Sequence, residues 1–134
     1  MRPSKFLPVL VVDDSRTTSA VIRACLNELG VDNVDEVDCG EAALRMIGFK
    51  NYGVIISDWH MEPVNGPDLL KQVRARTGAI KPKFAFVTMD DRWSNITTAR
   101  VLGADAFIVK PDNPGALRGK IGAFINACAA GRPG

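Results

Sequence analysis

Five residues of this chain carry acid, hydroxyl and ammonium chemistry at the ends of apolar runs. Asp13 and Asp14 follow Val9-Leu10-Val11-Val12, Asp58 closes Val54-Ile55-Ile56-Ser57, Thr88 follows Phe84-Ala85-Phe86-Val87, and Lys110 follows Ala106-Phe107-Ile108-Val109. One such aspartate alone would more often be a helix cap or a solvated charge; the conjunction is harder to dismiss. Three carboxylates brought together repel one another and hold protons more tightly unless a cation binds. Oxygen ligands of this kind suit Mg²⁺. A metal held by Asp13, Asp14 and Asp58 could neutralise an incoming phosphoryl group while Asp58 attacks phosphorus and forms an acyl phosphate. Lys110 would then pair with one phosphoryl oxygen, and the Thr88 hydroxyl would hydrogen-bond another.

Residues so far apart in sequence converge only if the chain between them builds the right scaffold. The apolar runs have strand length, and each is followed by helical periodicity. Strands are predicted at Val9–Val12 (β1), Val34–Val37 (β2), 54–58 (β3), 84–88 (β4) and Ala106–Val109 (β5). Val34–Val37 is the least apolar and so belongs near an edge. The first helix (α1) starts from Ser15 as cap, packs through Val21, Ile22, Cys25, Leu26 and Leu29, and stops at Gly30. Further helices are predicted over residues 41–49 (α2), from Pro67 onward (α3), over 91–102 ahead of Gly103 (α4), and over 114–130 (α5). Ala42, Leu44, Met46 and Ile47 supply the packing side of α2, Leu69, Leu70 and Val73 that of α3, and Leu117, Ile121, Phe124 and Ile125 that of α5. Five alternations of strand and helix with short connections imply right-handed crossovers and a parallel sheet covered on both faces, a three-layer α/β domain. The carboxyl ends of such strands open on one side, where these folds place their chemistry.

At 134 residues, the chain is expected to form one domain over 1–134, with a core from about 7 to 127 and no output or DNA-binding domain after it. No apolar run is long enough to span a bilayer and no secretory cleavage pattern follows Arg2 and Lys5, so a cytoplasmic location is expected. The net charge of +2 comes from scattered Lys and Arg, which argues against a dedicated nucleic-acid surface. Cys25, Cys39 and Cys128 are odd in number and widely spaced, which fits packing thiols better than disulfides or a zinc site.

The set Val-Val-Asp13-Asp14-Ser, Ile-Ile-Ser-Asp58-Trp-His-Met, Phe-Val-Thr88 and Val-Lys110-Pro111 resembles the CheY-like receiver domains of two-component response regulators over nearly the whole chain. That resemblance implies the flavodoxin-like (βα)5 fold with strand order 2-1-3-4-5. It implies phosphoryl transfer from a histidine kinase or histidine phosphotransfer protein to Asp58, and Mg²⁺ bound by Asp13, Asp14, Asp58 and the backbone carbonyl of His60. It makes Thr88 the switch hydroxyl, Lys110 the phosphate-binding lysine and Phe107 the switch aromatic, whose ring follows the hydroxyl and biases an α4-β5-α5 partner surface. Such a protein is a monomer, able to dimerise on phosphorylation, and is no enzyme beyond transfer to and from itself. Its role is chemotaxis- or motility-like control of a downstream protein, or that of a phosphate sink.

Several residues depart from the family pattern or add to it. Met61-Glu62-Pro63 stands where the family usually has Met-Pro. His60 lies two residues after the acceptor, and its side chain is read as an exposed loop group whose backbone alone matters. Met89 replaces a small residue and, as a long thioether, is expected to crowd the phosphoryl pocket or to narrow access by small phosphodonors. Asp90 resembles a position that modulates water access. Phe107, lacking a hydroxyl, should prefer burial and signal through surface shape. Trp93, Ile96 and Arg100 on α4 are candidate partner contacts, Trp being a frequent binding anchor. The alternative functions are an aspartyl-phosphate phosphohydrolase of the haloacid-dehalogenase type, disfavoured because no second acid stands two residues after Asp58, and a receiver repurposed for ligand or protein binding.

Overall fold

The computed structural model describes residues 8–76 and 81–129. Its elements run β1 Val9–Val12, α1 Arg16–Glu28, β2 Val34–Val37, α2 Gly40–Phe49, β3 Val54–Ser57, α3 Gly66–Arg76, β4 Lys83–Thr88, α4 Trp93–Val101, β5 Ala106–Val109 and α5 Pro114–Ala129. The five strands form one parallel sheet in the order β2-β1-β3-β4-β5. In register, Val9 and Val12 of β1 pair with Val54 and Ser57 of β3 on one side and with Val34 and Val37 of β2 on the other. Asp13 and Asp58 therefore leave adjacent strands at the same level.

Strand alternation divides the core in two. Val9, Val11, Val54, Ile56, Ala85, Val87 and Ile108 turn toward Ile22, Cys25 and Leu26 of α1 and Leu117, Ile121, Phe124 and Ile125 of α5. Leu10, Val12, Ile55, Phe84 and Phe86 turn toward Ala43 and Leu44 of α2, Leu69, Leu70 and Val73 of α3, and Ala99 of α4. Each large apolar side chain fully removed from water contributes roughly 1.5–3 kcal/mol. An exposed ion pair such as Arg118–Glu28 is screened by water and adds little beside this, so the two apolar layers set the stability.

The predicted packing sides of α1, α3 and α5 agree with the buried residues found; in α2 the most deeply buried residue is Ala43, beside the expected Ala42. Ser15 caps α1 by accepting from the N–H of Thr18 at 3.2 Å, and Gly30 and Gly103 adopt φ of +87° and +94° after α1 and α4, conformations that glycine takes without a Cβ penalty. Cys39 caps α2, its sulfur accepting from the N–H of Ala42. The start of α4 is later than the predicted residue 91. The Asp90 carboxylate accepts the N–H of Arg92 at 3.0 Å, and Arg92 is extended with φ −63° and ψ 133°. That side-chain bond competes with the first helical turn and delays it to Trp93. At the edges of the predicted core and of α5, Leu7 and Ala130 lie outside the described residues.

Candidate functional site

Strand ends and the loops after them assemble the site. Asp13 is held by its own N–H donating to Val37 O at 3.1 Å, and Asp58 by its N–H donating to Val12 O at 2.9 Å, so the ladder extends one residue past each strand. The Asp58 carboxylate accepts the N–H of Trp59 at 2.7 Å, and Ser57 Oγ donates to the Asp58 carbonyl at 2.8 Å. Trp59 and Met61, although in a loop, are buried at 7% and 6% exposure and anchor that loop in the apolar layer beneath it. The oxygens of Asp13, Asp14 and Asp58 lie within 4.8 Å of one another, with Asp13 buried, Asp14 exposed and Asp58 between. Thr88 is 2% exposed at the end of β4, and its carbonyl accepts the N–H of Lys110 at 2.8 Å, which brings β5's last side chain to the same edge. The Lys110 ammonium stands 3.8 Å from Asp13 Oδ2 and donates to Thr18 Oγ1 at 3.2 Å.

Asp13 carries the electrostatic tension of the cluster. Its Oδ1 accepts the N–H of Ser15 at 2.8 Å, whereas Oδ2 is buried with no hydrogen-bond partner. Burial pushes the Asp13 carboxyl up to about 6; the Ser15 N–H opposes this, Asp58 adds to it, Lys110 opposes it and Asp14 adds to it. A buried carboxylate oxygen with its lone pairs unused, on a residue grouped with two further carboxylates, belongs to a donor set fitted to a hard divalent cation. Through the window from the unfolded value up to about 6, the native carboxyl holds a proton that the unfolded chain has released, so stability falls as pH rises. Asp13→Asn removes the charge that burial opposes. Urea denaturation in a chelator at pH 7 is expected to show the variant about 1–3 kcal/mol more stable than wild type, with the pH slope flattened.

A second polar cluster closes over the same edge. Asp90 Oδ2 lies 2.7 Å from His60 Nε2 and also accepts from Arg92 Nη2 at 2.6 Å and Asn95 Nδ2 at 2.9 Å. The Arg92 guanidinium, then the His60 ring, hold the Asp90 carboxyl well below the usual carboxylate range. The Asp90 N–H donates to Thr88 Oγ1 at 3.2 Å, so this carboxylate's residue joins the β3–α3 loop, the β4 hydroxyl and the start of α4.

A model of the family described as the response regulator receiver domain matches residues 9–122. The chain belongs to that family. Among curated relatives, this receiver is 33% identical over 115 residues to "Chemotaxis protein CheY" of Pseudomonas aeruginosa, covering 86% of this chain and 93% of the relative. It is 30% identical over 118 residues to "Chemotaxis protein CheY-3" of Vibrio cholerae, covering 88% and 91%. The solved structure of chemotaxis response regulator CheY4 of Vibrio cholerae superposes with a TM-score of 0.76 at 26% identity, covering 87% of this receiver and 96% of that chain. The strand order and five helices are those of the CheY-like flavodoxin fold.

The structure brings Asp13, Asp14, Asp58, Thr88 and Lys110 of the receiver to one edge. Phe107 is partly buried, its ring 5.6 Å from Trp59 and 6.1 Å from Phe86, in keeping with its preference for burial. Met89 is 76% exposed, so the thioether stands in solvent and does not crowd the acids. Trp93 is 76% exposed, Arg100 exposed and Ile96 half-buried on α4. The side chain of His60 is exposed as read, but it is tied to Asp90 and is more than a bystander. Thr18 carries no sequence signal toward Lys110, 92 positions away; only the fold joins them. Among the described residues no helix is long and apolar enough to cross a membrane.

Proposed function

We propose that this receiver accepts a phosphoryl group on Asp58 from a histidine kinase or histidine phosphotransfer protein in a cytoplasmic two-component relay. The observation that carries this reading is the grouping of the Asp13, Asp14 and Asp58 carboxylates, with Asp13 Oδ2 buried without a hydrogen-bond partner and the Lys110 ammonium 3.8 Å from it. Asp13, Asp14, Asp58 and the backbone carbonyl of His60 would hold Mg²⁺. Bound there, the ion supplies charge neutralisation to the phosphoryl oxygens. The Asp58 carboxylate attacks phosphorus, the bond from phosphorus to the donor imidazole nitrogen breaks, and that nitrogen keeps the electron pair. Lys110 donates to one phosphoryl oxygen and Thr88 to another, and hydrolysis of the acyl phosphate on the same chain resets it.

To reach the phosphoryl group the Thr88 hydroxyl leaves the Asp90 N–H, and the Phe107 ring follows it away from Trp59. The altered α4-β5-α5 surface, with Trp93, Ile96 and Arg100, then selects a downstream protein, in a chemotaxis-like or phosphate-sink role. Phosphotransfer from purified histidine kinases to the wild-type chain, with and without a chelator, tests this. Label that depends on Mg²⁺ and is released by hydroxylamine is expected; label that persists in the chelator would sink the reading. Mg²⁺ titration is also expected to change the emission of Trp59, which is buried against the acceptor loop, while Trp93, in solvent, contributes a constant background.

A further inference from the structure

A closed circuit of contacts surrounds Asp13. Its Oδ1 accepts the N–H of Ser15 at 2.8 Å, Ser15 Oγ accepts the N–H of Thr18 at 3.2 Å, and Thr18 Oγ1 accepts a hydrogen bond from Lys110 Nζ at 3.2 Å. The circuit ends where the ammonium faces Asp13 Oδ2 at 3.8 Å without bonding to it. That gap needs a cause. The Lys110 side chain is only 18% exposed, and its ammonium has three donors and stands less than about 1 Å beyond hydrogen-bonding range of a carboxylate oxygen that has no hydrogen-bond partner. An unpaired buried carboxylate oxygen is costly, and closing the gap would relieve it. Lys110 is fixed at its root by its N–H on Thr88 O at 2.8 Å, and Thr18 is fixed in the first turn of α1 by the Ser15 cap. The Thr18 hydroxyl is therefore a rigid acceptor that holds the ammonium to one side.

We infer that Thr18 is a positioning residue that keeps Lys110 off Asp13 Oδ2, leaving that oxygen for the divalent cation and the ammonium for the phosphoryl group. The inference rests on the proposed function and adds to it a residue outside the acid set. Without the hydroxyl, Lys110 closes on Asp13 and becomes a resident monovalent competitor for a metal oxygen. Groups one step removed from a metal ligand commonly change affinity by a factor of ten or more, and an indirect competitor should have a smaller effect.

The experiment is Mg²⁺ affinity, read from the Trp59 emission of the full chain, with circular dichroism to show that each variant is folded. Thr18→Val and Thr18→Ala are expected to weaken Mg²⁺ about three- to tenfold, and Thr18→Ser to restore affinity to within about twofold of wild type. In a Lys110→Met background, Thr18→Val is expected to have no effect, because the competitor is gone. Unchanged affinity in folded Thr18→Val and Thr18→Ala, or an equal loss in the Lys110→Met background, would overturn the inference and leave the proposed function standing. A wild-type chain that binds no Mg²⁺ would overturn both.

Discussion

Asp58→Asn is expected to reduce phosphoryl incorporation at least about a hundredfold, to the background of the assay, while the chain stays folded. The amide keeps an oxygen that can accept the Trp59 N–H, now at 2.7 Å on Asp58 Oδ1, so the local turn survives the exchange. What disappears is the anionic nucleophile. An amide oxygen carries no full charge and is a far weaker nucleophile, and its O-phosphorylated form would carry a cationic imidate in place of the neutral acyl group of an acyl phosphate, so the low barrier that a carboxylate offers is removed. Asp58 also leaves the trio of carboxylates, which eases the repulsion on Asp13, since the Asp58 charge is one of the influences raising it. Melting temperatures of wild type and variant in a chelator, beside phosphotransfer in Mg²⁺, check both halves. A labelled Asp58→Asn protein would move the acceptor elsewhere.

Gly66→Ala is expected to cost about 2–4 kcal/mol, and to slow phosphorylation of what remains folded. A Cβ at this position would stand 2.5 Å from the Asp58 carbonyl oxygen, 2.7 Å from a Phe86 ring carbon and 3.0 Å from Trp59 Cα. Two of these three are backbone atoms of the acceptor segment, held by the Gly66 N–H on Trp59 O at 2.9 Å and by the sheet. Nothing there can swing aside, so the methyl either displaces α3 or pushes the Asp58 peptide from the position that aims its carboxylate. Gly48→Ala in α2 is the control, since a Cβ there meets nothing within 4 Å. It is expected to stabilise by roughly 0.5–1 kcal/mol, because alanine is the better helix former. Chemical denaturation of the two variants in parallel separates steric conflict from helix propensity.

The strands were legible because a strand buried on both faces has to be nearly continuously apolar, as Val9–Val12 is and as Val54–Ser57 is up to its terminal serine. Once those runs are placed in parallel, the residue after each arrives at a common edge, which is why the sequence alone groups Asp13, Asp58, Thr88 and Lys110. Side-chain bonds across long separations were not legible. Asp90 resembles a position that modulates water access, but nothing in the sequence shows that it receives His60, Arg92 and Asn95 and delays α4 to Trp93. Thr18, half-buried in the first turn of α1, has no sequence mark of its contact with Lys110, which forms only when β5 is laid beside β4. Met89 lies in solvent for a related reason: its neighbour Thr88 ends the strand facing inward, so the next side chain leaves toward water, which removes crowding of the pocket and leaves the narrowing of access untouched.

The aromatic rings are distributed unequally between the two sides of the sheet. Phe84, Phe86, Trp59 and Phe107 meet largely edge to face at centroid separations of 4.8 to 6.1 Å, all on the side covered by α2, α3 and α4. The opposite layer has Phe124 as its one aromatic among the described residues. Ring currents decay within a few ångströms, so resonances of the Trp59 and Phe86 rings, whose centroids lie 5.6 and 6.1 Å from that of Phe107, will register any rotation of that ring. Those of Ile22, Leu26 and Ile121, on the opposite face, will stay still. The sheet thus works as a shutter between an optically and magnetically loud half and a quiet one, and isotope labels confined to a handful of side chains would report on one half with the other as internal reference.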